Sequence, residues 1–93
     1  MSEQDILDVF AELPHRVQAA LLSNVHSLRS RGYLRFTDYP LPVAEYIAGT
    51  GLMTVRIHDS GSVAFFANEQ TRTLRRHMGK LLEMYGIELG GAR

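Results

Sequence analysis

The chain has no cysteine and no tryptophan, and only three of its 93 residues are proline. Without thiols there is no disulfide framework, no thiolate nucleophile and no cysteine-ligated zinc. No run approaches the ~18 apolar residues that cross a bilayer, so no membrane partner is expected. The first dozen residues carry Glu3, Asp5, Asp8 and Glu12, where a secretory leader would need a basic region followed by an apolar one. These absences point to a cytoplasmic protein. Net charge is missing as well, because ten acidic side chains balance ten Lys and Arg. That balance argues against a protein that holds nucleic acid mainly by bulk charge.

What the sequence does contain is ordinary for a globular chain, with 45% hydrophobic and 22% charged residues, so wholesale disorder is not expected. At this length residues 1–93 read as a single domain with a thin core, which a homodimer would help to cover. The neutral total hides segregated charge. Residues 1–13 carry −4, residues 14–35 carry +4, residues 36–70 carry −3 and residues 71–80 carry +4. Such blocks serve intramolecular or dimer pairing as readily as polyanion binding.

Periodicity divides the chain into elements. Ser2 is a helix cap, with acids in the first turn and Ile6, Phe10 and Leu13 on one face. Pro14 opens a second helix, expected to reach Arg31, whose buried stripe is Val17, Leu21, Val25 and Leu28. A short strand at Tyr33–Phe36 and a third helix over Pro42–Ala48, ended by Gly49 and Gly51, follow. In LMTVRIHD the residues Met53, Val55 and Ile57 alternate with Thr54, Arg56 and His58, DSGS supplies turn residues, and SVAFFA resumes as a strand, so a β-hairpin is expected.

Asn68 caps a single final helix that runs to Gly86. Placed at 100° per residue, Leu74, Met78, Leu81, Leu82 and Tyr85 fall on one side. Arg72, Arg76, Lys80 and Glu83 fall opposite, with Arg75 at the border. Gly79 inside this helix is either a close packing contact or a weak point worth roughly 1 kcal/mol against Ala.

The resulting class is α+β, a small winged-helix-like domain in the order helix, helix, short strand, helix, β-hairpin, helix. Residues 46–89 carry Gly51 and Leu52, then Gly61 in the hairpin turn, Phe65, Glu69, Leu74, Arg75 and Arg76, then Gly86 and Ile87. In this pattern the stretch resembles the wing-and-helix part of MerR-type regulators. The resemblance implies DNA binding, with the third helix in the major groove and the hairpin as a wing. The helix segment PLPVAEYIAG, however, offers no Arg, Lys, Asn or Gln to read base edges. Phosphate contact therefore falls to Arg56, with His58 beside it on the hairpin, and to Arg72, Arg75, Arg76 and Lys80, which position a protein without specifying sequence. Arg16, Arg29, Arg31 and Arg35 would add to that surface only if they face the same way.

Other chemistries find less support. His15, His26, His58 and His77 lack the i, i+4 pairing of helical metal ligands, so no metal or other cofactor is expected. Ser23, Ser27, Ser30, Ser60 and Ser62 lack the strand-turn-helix context of a nucleophile, and no enzymatic activity is expected. Phe65 and Phe66 are adjacent on a strand and so point to opposite faces, leaving one to be covered by something else. The reading favoured is a small DNA-binding transcriptional regulator or accessory protein contacting phosphates through its basic C-terminal helix. The alternative is a protein-binding module, an adaptor or inhibitor, using Phe66, Tyr33, Tyr39 and the basic face against an acidic partner. The basic face also has a plain reading as a solvated helix surface, with Lys80 paired to Glu83 and Arg72 to Glu69.

Overall fold

The structure, a computed structural model, describes residues 1–28 and 32–89. Helix α1 (Glu3–Ala11) begins in a capping box: the Ser2 hydroxyl accepts from the Asp5 N–H at 3.1 Å, and the Asp5 carboxylate accepts from the Ser2 N–H at 3.2 Å. Two of the four orphan donors of the first turn are thereby satisfied. Helix α2 (His15–Ser27) starts after Pro14, whose carbonyl takes the N–H groups of both Val17 and Gln18 at 2.9 Å. The expected stripe of Val17, Leu21, Val25 and Leu28 is buried, together with Leu22. The expected continuation of this helix to Arg31 lies outside the described residues.

Strand β1 (Tyr33–Phe36) leads to α3 (Leu41–Thr50), which is longer than the expected Pro42–Ala48 and contains Gly49. The Thr50 hydroxyl donates back to the Ile47 carbonyl at 2.6 Å and accepts the Leu52 N–H at 3.1 Å. Gly51, at φ 75°, is where the chain leaves the helix, in the left-handed region that a Cβ disfavours.

Strands β2 (Thr54–Ile57) and β3 (Val63–Phe66) form the expected hairpin, closed by the Gly61 N–H on the His58 carbonyl at 2.8 Å. The sheet order is β1-β3-β2, antiparallel throughout, with β3 in the centre. Met53 is buried as expected, Val55 is half-buried, and Ile57 is 45% exposed. Burial thus falls away along the edge strand toward its hairpin end, and periodicity alone does not show where an inward-facing row stops being covered.

The single final helix expected from Asn68 to Gly86 is two helices, α4 (Glu69–Arg76) and α5 (Met78–Met84), broken at His77 with φ −102° and ψ 9°. Helix α5 ends in a Schellman arrangement. The Gly86 N–H bonds the Glu83 carbonyl at 3.3 Å, the Ile87 N–H bonds that of Leu82 at 2.9 Å, and Ile87 is buried, as this cap demands. Core residues from α1, α2, α3, β3, α4 and α5 form one hydrophobic cluster centred on Phe10, Leu21, Leu22, Ile47, Phe65 and Leu74. The described residues therefore form a small α+β fold of five helices and one three-stranded antiparallel sheet. None of the described helices is long and apolar enough to cross a membrane.

Candidate nucleic-acid interface

Helix α4 is set by its cap. Asn68 Oδ1 accepts the Thr71 N–H at 3.0 Å, and the Thr71 hydroxyl accepts the Asn68 N–H at 3.0 Å. The buried Thr71 hydroxyl also lies 2.7 Å from the Leu52 carbonyl, to which it donates. Asn68 Nδ2 reaches the Gly51 carbonyl and Thr54 Oγ1, both at 3.3 Å. The start of α4 is therefore pinned to the junction of α3 and β2. Arg72 lies one turn beyond that junction, and Arg56 two strand residues beyond it, each roughly 6–7 Å along its own backbone.

Arg72, Arg75, Arg76 and Lys80 are all exposed, but they do not form one continuous row. Arg72 and Arg76 line a cleft of about 350 Å³ between the start of α1 and α4, with Met1, Ile6, Glu69, Gln70 and Thr73. Lys80, beyond the break at His77, lines a different cleft of about 260 Å³ with Gln4, Asp8 and Met84. The angular placement expected for one straight helix is thus corrected by the break. Arg76 also spends part of its charge at home, 3.6 Å from Glu3 and donating to Thr73 Oγ1 at 3.2 Å.

Glu3 is the centre of this corner. Its carboxylate accepts from His77 Nε2 at 2.6 Å. The His77 hydrogen bond and charge, with Arg76 adding to them, hold the Glu3 carboxyl below the ordinary carboxylate range. Among the described residues the ion pairs are the two made by Glu3, so the expected pairings of Lys80 with Glu83 and Arg72 with Glu69 are not formed. Glu3, in the first turn of the acidic helix, thus finds its basic partners in its own chain.

A second cationic surface lies on the outward face of the sheet. Cross-strand register places Arg35, Ala64 and Arg56 in one row and Tyr33, Phe66 and Thr54 in the next. Arg35 and Arg56 are exposed, while Ala64 between them is buried. The Arg35 guanidinium donates to His58 Nε2 at 3.0 Å. Tyr33 and Phe66 stack with centroids 5.7 Å apart and planes at 22°.

Phe65 and Phe66 divide between the faces as expected, Phe65 being fully buried and Phe66 partly exposed. Tyr39, read from sequence as an interface aromatic, instead packs inward. Its ring lies 4.9 Å from that of Phe65 and 5.1 Å from that of Phe36, and its hydroxyl accepts from Asn24 at 3.3 Å. Burial pushes the Tyr39 hydroxyl pKa upward against the opposing Asn24 bond. Arg35, which the sequence offered only as a conditional addition to the cationic surface, stands on this face of the sheet beside Arg56. Its side chain meets His58 23 positions away, and only strand pairing brings the two together. Matching parity in YLRF and TVRIH is the one local hint.

Among the described residues no three His, Asp or Glu side chains converge as metal ligands. No protein-family model matches the chain, and no curated protein or solved structure matches it.

Proposed function

We propose that the protein is a small DNA-binding regulatory or accessory protein of winged-helix-like organisation that anchors duplex phosphates. Arg72 and Arg75 on α4 and Arg56 on the hairpin are the principal contacts, with Arg76 and Lys80 at the margins because of the Glu3 pairing and the helix break. The observation that carries this reading is the Asn68–Thr54 junction, from which both cationic elements diverge. The element order and the resemblance of residues 46–89 to MerR-type regulators support it. Phosphate contacts of this kind position a protein without selecting sequence, in keeping with an α3 that carries no side chain suited to base edges.

The test is fluorescence polarisation with a random duplex at about 50 and 200 mM salt, repeated with the double variant Arg72→Glu/Arg75→Glu. Affinity that drops with salt and disappears in the variant is the expected outcome. Absence of duplex binding at low salt overturns the reading. The exposed Tyr33 (48%) and Phe66 stack favours a second reading, a protein-binding module, whose largely apolar contact would respond weakly to salt.

A further inference from the structure

We propose that the outward face of the sheet is a binding site for single-stranded DNA, with Tyr33 and Phe66 stacking bases and Arg35 and Arg56 holding the adjoining phosphates. The inference deepens the nucleic-acid reading above and shares only Arg56 with it.

The arrangement is a row of cations beside a row of aromatics. Arg35 and Arg56 stand on the two edge strands, two strand spacings or about 10 Å apart, with the small Ala64 between them. One pleat further along, about 7 Å away by strand rise, Tyr33 and Phe66 form their stack. A strand laid across the sheet meets an aromatic stack that a base can extend from its outer face, with guanidinium groups beside its backbone.

Charge selects the class of ligand. The outward strand positions are Tyr33, Arg35, Thr54, Arg56, Ala64 and Phe66, with no carboxylate among them. Asp38 and Asp59 fall beyond the strand ends. The aromatic pair then selects the form of the ligand. A duplex keeps its base faces stacked inside and offers only edges and phosphates. An unpaired strand offers base faces, which stack on aromatic side chains whatever the base. An arginine surface alone would suit either form, whereas of the two only the second offers base faces for the tyrosine ring to stack on.

The chain has four tyrosines and no tryptophan, so the part of the intrinsic tyrosine quenching that Tyr33→Phe removes reports on base stacking at Tyr33. The experiment titrates the 93-residue chain with oligo(dT), oligo(rU) and a random duplex of equal length, following tyrosine quenching and polarisation. Wild-type protein is expected to bind oligo(dT) in a salt-dependent way with quenching. Tyr33→Ala should weaken that binding by about 5- to 100-fold and leave duplex affinity unchanged, while Tyr33→Phe should retain it. Arg35→Gln/Arg56→Gln should lower oligo(dT) affinity and flatten its salt dependence, with circular dichroism confirming that each variant folds.

Unchanged oligo(dT) binding in Tyr33→Ala overturns the proposal. So does tighter binding of oligo(rU), or a Tyr33→Ala variant that binds no strand differently but breaks a self-associated form in sedimentation. Duplex binding without oligo(dT) binding sinks this inference alone. Oligo(dT) binding that survives in Arg72→Glu/Arg75→Glu, with no duplex binding by wild type, sinks the regulator reading alone.

Discussion

Asn68 holds three things at once: the first turn of α4, the carbonyl of the left-handed Gly51 and the hydroxyl of Thr54. Asn68→Ala removes the cap and is expected to lower stability by about 1 kcal/mol or somewhat more, read as a lower urea midpoint with unchanged slope. Asn68→Asp keeps the acceptor but loses both outward bonds, and should fall between the two.

Glu3 and Asp5 give the molecule an acid limb. The Glu3 carboxyl is held below its usual value of 4.5 by His77 first and Arg76 with it, and the Asp5 carboxyl below 3.8 by the Ser2 N–H and hydroxyl. For a carboxyl depressed in the folded state, stabilisation is complete above the unfolded value and is lost as pH falls through the folded one. Thermal unfolding followed from neutral pH downward should therefore show wild type losing its advantage over Glu3→Gln below about pH 4.5. An advantage that persists at pH 2 would mean that the carboxylate is not the source.

At the scale of elements, the broken C-terminal helix gives opposite expectations for two glycines. A Cβ at Gly79 would meet nothing within 4 Å, so this glycine makes no close packing contact and simply weakens α5. Gly79→Ala should raise stability by about 0.5–1 kcal/mol. Gly51 is equally open in space but sits at φ 75°, and Gly51→Ala should cost about 1–2 kcal/mol through backbone strain. Differential scanning calorimetry of both variants measures the contrast, and equal effects would refute it.

Much at this scale was legible in sequence. Ser2 and Asn68 as caps, the DSGS turn and the stop at Gly86 depend on residues within about five positions of one another, and the Val17 to Leu28 stripe on successive spacings of that size. The break at His77 was not legible, because the residues 74–86 keep a helical pattern through it and the Glu3 carboxylate that meets His77 comes from 74 positions away.

For the molecule as a whole, α1 is part of the common core. Ile6 and Phe10 are buried, and the Phe10 ring meets Tyr85 edge-on at 5.5 Å. Gln18, also buried, donates to the Phe10 carbonyl at 2.9 Å. Phe10→Ala is expected to cost about 3–5 kcal/mol, a large share of the ~5–15 kcal/mol that holds a domain folded. Denaturant unfolding should remain a single transition at a much lower midpoint. A separate early transition would show that α1 comes away by itself.

By itself the sequence determined the elements and their order up to the break at His77, the turn chemistry, the polarised charge and the absence of thiol chemistry, since these follow from neighbouring residues and from composition. Tertiary structure alone decided the strand order β1-β3-β2, which sets Arg35 across from Arg56 and against His58. It also turned Tyr39 inward and set Arg72 and Arg76 on one cleft and Lys80 on another. The physical reason is the same in each case: the partners are brought together by burial of a shared core, and nothing in the spacing of residues along the chain records which distant face a side chain will meet.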